Sequence, residues 1–152
     1  MRLDIKGIKF SEITLHLGLG AFREIEVEDL SKHKMDSEYY NISQETCDAV
    51  NHAIEAKKRV VAIGGSVMRT LESSVSSTKT LNPSEGWSDK FITPPYEFNI
   101  ANAFLTNLHA PGSPLYMMAC AYSDYEFMQE VYQEAIKEKY RFLCYGDAML
   151  IL

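Results

Sequence analysis

Two histidines, three acidic residues, one arginine and one glycine-rich turn are the groups in this 152-residue chain whose types and spacing suit chemistry. His109 sits in Thr106-Asn107-x-His109-x-Pro111. A histidine there titrates near working pH and can move a proton, or it can simply hydrogen-bond its own loop. Gly64-Gly65-Ser66 separates a strand-like run from a helix-like one. Free amides at such a helix start suit an anion, although many strand-to-helix turns contain glycine. Arg69, one turn in, is placed either to grip the same anion bidentately or to pair with Glu72 three residues on. His16 lies in an apolar run and reads, on residue type alone, as a core histidine. Trp87, ahead of Asp89, is either packed or free to stack on a base. Asp147 follows Tyr145-Gly146 and has the chemistry of a turn former.

The elements that must position these groups follow from periodicity and punctuation. Ile13 to Leu19 predicts a strand that ends in a glycine turn. Arg23 to Tyr40 is polar and aperiodic, which predicts a long loop. Ser43 predicts a cap for a helix over Gln44 to Lys57, with Val50, Ala53 and Ile54 on one face. Arg59 to Ile63 suits a buried parallel strand, and Val67 to Ser74 a following helix. Residues 75–90 read as loop, and Phe91-Ile92 as a short strand. Ser113-Pro114 opens a segment Leu115 to Tyr122 that pattern alone leaves as buried helix or buried strand. Its tyrosines and methionines read as core. Asp124 predicts the cap of a helix to Lys139 with Phe127, Val131, Ala135 and Ile136 on its buried face. Arg141 to Leu152 is strand-like at both ends. The order predicts one α/β domain over residues 1–152, a three-layer α/β/α sandwich with a largely parallel sheet.

Composition narrows the function classes. Hydrophobic residues at 46% and charged residues at 24% are ordinary for a globular domain with a core of its own. No apolar run reaches the roughly 18 residues that would span a bilayer, and MRLDIKGIKF does not read as a signal peptide. The expectation is therefore a cytoplasmic protein with no membrane partner. Cys47, Cys120 and Cys144 are far apart and form no metal-ligand spacing, so no metal is expected and each reads as a small buried residue. The net charge of −6 and the pI of about 5.2 do not describe a nucleic-acid binder. Any RNA contact must use basic surface that is local or lies elsewhere.

Six blocks in order nevertheless resemble one family. TLHLGLGAF at Thr14 to Phe22 is similar to its LHVGLGTF motif, and VEDLSKHKMDSEYY at Val27 to Tyr40 to its VEDI…HKMHSEYY stretch. VVAIGGSVMRTLE at Val60 to Glu72, the Gly86-Trp87-Ser88-Asp89 segment with Phe91, LTNLHAP at Leu105 to Pro111, and YRFLCYGDAML at Tyr140 to Leu150 complete the set. The chain is similar to the S-adenosylmethionine:tRNA ribosyltransferase-isomerases. It departs from them at Asp36 (histidine in the motif), at Gly65 and Ser66 (paired threonines) and at Leu108 (phenylalanine). The resemblance implies the C-terminal portion of a catalytic domain, without the N-terminal half and its inserted β-barrel.

The resemblance also implies a reaction. The ribosyl unit of S-adenosylmethionine, the cosubstrate, moves onto the aminomethyl group of 7-aminomethyl-7-deazaguanine in tRNA, giving epoxyqueuosine. The roles it implies are catalytic for His109, Asp89 and His16. Gly64, Gly65, Ser66 and Arg69 would hold an anionic group, either the methionine carboxylate or a tRNA phosphate. Glu38 and Tyr39 would bind ribose hydroxyls or steady the substrate ammonium, with Asn107 and Asp147 in the same substrate-binding set. All are expected to converge on one pocket at the ends of the sheet. tRNA contacts would fall mainly outside these residues, and a partial domain of this kind exposes apolar surface through which it can pair with itself.

Overall fold

The computed structural model describes residues 2–152. A short helix α1 (Arg2–Ile5) and an extended segment lead to β1 (Thr14–Leu15), and a 3-10 turn (Leu19–Ala21) follows. Then come β2 (Glu38–Ile42), α2 (Gln44–Glu55), β3 (Val61–Ile63), α3 (Gly65–Ser74), β4 (Ser84–Ser88) and β5 (Ala103–Asn107). The chain ends with α4 (Pro114–Tyr122), α5 (Tyr125–Lys137) and β6 (Ala148–Ile151).

The fold is mixed α/β, but the largely parallel sheet is not what forms. Two three-stranded sheets form instead, in the orders β1-β2-β4 and β3-β5-β6. Among the described strands, β3 with β5 is the one parallel pairing; β1–β2, β2–β4 and β5–β6 are antiparallel. The predicted strand at Ile13 to Leu19 shrinks to β1, because the chain leaves β2 after His16. The polar stretch read as loop contains β2, and residues 75–90 contain β4. Phe91 and Ile92 form no strand; Ile92 is instead a buried plug, and Phe91 packs on the His33 ring. Arg141 to Asp147 is a turn rather than a strand.

The helices start where their caps put them. Ser43 Oγ accepts from Thr46 N, Ser113 Oγ from Tyr116 N and the Asp124 carboxylate from Phe127 N. Leu115 to Tyr122 resolves as helix, and its Leu115, Tyr116, Met118, Ala119 and Cys120 are buried as core. On α5 the buried face is Met128, Tyr132 and Ala135, one step round from the predicted stripe; Phe127 and Ile136 are exposed. Phe104, Met68, Leu81, Ile92, Met118 and Met128 are the largest apolar side chains fully enclosed, so the core lies where α3 and α4 meet the sheets. Cys47 and Cys120 are buried as expected, but Cys144 is exposed. No helix among the described residues is long and apolar enough to cross a membrane.

Candidate functional site

The predicted site residues fall into two groups, both packed around α3. The first group lies at the carboxyl ends of the parallel pair β3–β5, where α/β folds commonly bind ligands. Ile63 pairs with Leu105, and Gly64 N donates to Leu105 O at 2.8 Å, so the Gly64-Gly65-Ser66 turn and the Thr106–His109 segment leave the same edge. Gly64 caps α3 at φ 91°, a left-handed conformation that a side chain would strain. Gly65 is constrained in a different way: a Cβ there would lie 2.5 Å from Leu115 Cδ2, so the leucine would have to shift to admit one. No side chain caps α3, which leaves its first amides to water or a ligand.

His109 is held from two sides. Its Nε2 is 2.8 Å from Thr106 Oγ1, and its carbonyl accepts from Tyr132 Oη on α5 at 2.9 Å. Tyr132 is itself fixed edge-on between Tyr116 and Phe142. Burial pushes the His109 pKa down to about 4, so the expected titration near neutral pH is not what the environment provides. At pH 7 the ring is neutral: it can accept a proton but has none of the extra acidity of imidazolium to donate.

Asn107 and Asp147 are brought together, but by the backbone. Asn107 Nδ2 donates to Asp147 O at 3.2 Å, in register with the Asn107–Ala148 pair of β5 and β6. The Asp147 carboxylate accepts from Arg141 N at 2.8 Å and from Arg141 Nη2 at 2.7 Å. The Arg141 hydrogen bonds hold Asp147 at about pKa 2. Asp147 thus closes the turn that precedes β6.

The second group surrounds the antiparallel sheet. Glu38 on β2 and Arg69 on α3 form a buried ion pair, each side chain 1% exposed. Glu38 Oε1 also accepts from Gly18 N at 2.7 Å. Arg69 is therefore neither an exposed anion clamp nor the partner of Glu72, and Glu38 does not face solvent as a ribose or ammonium ligand. The period-2 geometry of β2 turns Glu38 inward together with Tyr40 and Ile42. Burial pulls the Arg69 pKa down, and Glu38 opposes that. Glu72 is spent elsewhere: it accepts from Tyr96 Oη, Asn99 N, Asn99 Nδ2 and Ile100 N.

His16 and Tyr39 lie on the outer face of this sheet. His16 N donates to Tyr39 O at 2.8 Å, and the two rings meet edge-on. His16 is exposed, so the core reading does not hold. Asp89 is also exposed, just past β4, and has no hydrogen bond or ion pair among the described residues. Sequence reasoning missed Thr106 and Tyr132 as the groups that hold His109, and Glu85 as the acceptor for Tyr39 Oη at 2.9 Å. The three-residue spacing of Thr106 and His109 was a readable signal; Tyr132 carried none. A groove of about 600 Å³ lies away from all of these residues, between residues 6–13, α2 and the start of β3. Among the described residues no cluster of three or more His, Cys, Asp or Glu side chains could hold a metal ion.

Comparison with known proteins adds a family. Residues 1–151 match the model of the family described as "Queuosine biosynthesis protein". The chain is 59% identical over 151 residues to the S-adenosylmethionine:tRNA ribosyltransferase-isomerase of Flavobacterium psychrophilum, covering 99% of this chain and 43% of that relative. The protein of the same name from Bacteroides fragilis is 52% identical over 151 residues, again 43% of its length. The crystal structure of S-adenosylmethionine tRNA ribosyltransferase from Thermotoga maritima superposes with a TM-score of 0.78 at 35% identity, over 99% of this chain and 47% of that one. The chain thus spans less than half the length of the curated relatives it matches. On a match that runs from residue 1 to residue 151, the chain belongs to the queuosine biosynthesis protein family.

Proposed function

We propose that residues 1–152 form the C-terminal portion of the catalytic domain of a cytoplasmic S-adenosylmethionine:tRNA ribosyltransferase-isomerase. In that reading the crevice at the carboxyl ends of β3 and β5 holds part of the cosubstrate. The observation that carries it is the common edge shared by the uncapped α3 amides and His109, in a chain whose residues 1–151 match the family model. The amides of Gly65 and Ser66 would face the methionine carboxylate. His109 would act as a base toward the 5′ carbon; the burial that keeps its ring neutral also weakens it as a base, so the acidity of the hydrogens beside the sulfonium must carry the step. Loss of that proton leads to expulsion of adenine. The amine of 7-aminomethyl-7-deazaguanine in tRNA then attacks the ribosyl fragment, and ring closure releases methionine and leaves epoxyqueuosine. A proton for the departing adenine must come from another group, because neutral imidazole is a poor acid.

A second reading is a module that binds S-adenosylmethionine without turnover. It is favoured by Gly65 and Ser66 standing where the family motif has threonines. Two measurements test these readings, and the second separates them. Calorimetry with S-adenosylmethionine detects heat under either reading and none if the crevice is inert. Transplanting this segment into the full-length Flavobacterium relative and assaying adenine release with tRNA bearing the aminomethyl base gives turnover only under the first.

A further inference from the structure

The outer face of the β1-β2-β4 sheet carries a row of aromatic rings that the reaction described above does not use. The Tyr39–Trp87 register and the His16 N to Tyr39 O bond put His16, Tyr39 and Trp87 side by side across three strands. The next row on the same face is Thr14, Asn41 and Glu85. The opposite face, with Glu38, Tyr40 and Ile42, is buried against α3 and the core. From these positions we infer that the row is a platform on which an unpaired guanine-type base of RNA stacks, with Glu85 reading its edge. This rests on the reading that the protein acts on tRNA.

Three features point to a base rather than to another occupant. Trp87 is 71% exposed, and Tyr39 meets it with ring centroids 5.9 Å apart and planes at 69°, so most of the indole surface remains open to a ligand. The row is already ordered: Tyr39 Oη donates to Glu85 Oε2 at 2.9 Å, Asn41 Nδ2 donates to the same oxygen at 3.3 Å, and His16 stands perpendicular to Tyr39 at 5.5 Å. Little side-chain entropy is then lost when a ligand settles. Glu85 Oε1 has no hydrogen-bond partner among the described residues. That free oxygen can accept from guanine N1–H, whereas adenine presents an unprotonated N1 whose lone pair a carboxylate repels. The two rows contain no Lys or Arg, so this face recognises a base and not a phosphate.

Trp87 is the chain's only tryptophan, so its fluorescence reports on the platform directly. The test titrates the chain with the single-stranded RNA UUGUU, with UUAUU, and with UUGUU annealed to its complement. Quenching by UUGUU, weaker quenching by UUAUU and none by the duplex is the expected result, with little dependence on salt. Labelled UUGUU should bind Trp87→Ala about 5- to 150-fold more weakly. Glu85→Gln should keep the quenching but lose the preference for guanine over adenine. Unchanged circular dichroism verifies that both variants fold. Absence of quenching, equal quenching by the duplex, or undiminished affinity in Trp87→Ala would overturn the platform. Adenine release by the transplanted full-length protein reads the catalytic proposal separately: turnover without RNA quenching sinks the platform alone, and quenching without turnover sinks the catalysis alone.

Discussion

Arg69→Ala should cost the fold dearly, and the size of the loss follows from where the residue sits. Both Arg69 and Glu38 are 1% exposed, and Glu38 keeps one other donor, Gly18 N at 2.7 Å. Removing the guanidinium leaves a carboxylate in the interior with half its partners gone. Breaking a buried pair from one side costs about 3–5 kcal/mol, because the survivor remains desolvated. A domain of this size is stable by only about 5–15 kcal/mol, so a fifth or more of the total is at stake. At a urea slope near 2 kcal/mol/M the unfolding midpoint should fall by roughly 2 M. The double variant Glu38→Leu/Arg69→Met, which removes both charges and keeps volume, should recover most of the loss. Urea melts followed by circular dichroism on wild type, single and double variants measure all three. A loss below about 1 kcal/mol in Arg69→Ala, the size of a surface pair, would contradict the burial of the pair by placing it in contact with water.

Two further outcomes follow from the crevice. The His109 pKa is depressed from 6.5 to about 4, so the unfolded chain binds the proton more tightly than the native one. The stability this contributes is complete above pH 6.5 and is lost as pH falls towards 4, at most roughly 3 kcal/mol. His109→Gln should flatten the stability profile across that window; urea melts at several pH values check it, and an unchanged slope would contradict the burial of the ring. Gly65→Ala drives a methyl to 2.5 Å from Leu115 Cδ2 and should destabilise by about 1–3 kcal/mol. Leu115→Val in the same chain should return part of that loss, and additive losses would show that the contact is not the cause.

What was legible in the sequence was local. Ser43, Ser113 and Asp124 announce their helices because a capping side chain acts within three residues of itself. The Gly64-Gly65 turn is equally local. β2 was hidden because the residue it turns inward at Glu38 is charged, and the charge is matched only by Arg69, 31 positions away. β4 was hidden because its inward side chains, Ser84 and Ser88, bond to Ser74 and Ser73 of α3 instead of packing as apolar residues. Strand direction was not readable at all: short apolar runs such as β3 and β5 look alike whether their neighbours run with or against them. The same limit shaped the site. His109 and the glycine turn could be named from their own segments, and they do share an edge. Arg69 and Glu38 could not be assigned, because their function is each other.

His109 is the residue on which the proposed chemistry depends. The decisive measurement is adenine release from S-adenosylmethionine by the full-length Flavobacterium relative carrying this segment, with and without His109→Ala, on tRNA bearing the aminomethyl base. A base at this position contributes about 100- to 10,000-fold, so the variant should lose at least 100-fold in turnover while binding of S-adenosylmethionine and the urea midpoint at pH 7.5 or above change little. Turnover within a few-fold of the parent would contradict the assignment, and so would a loss of turnover that only tracks a loss of fold.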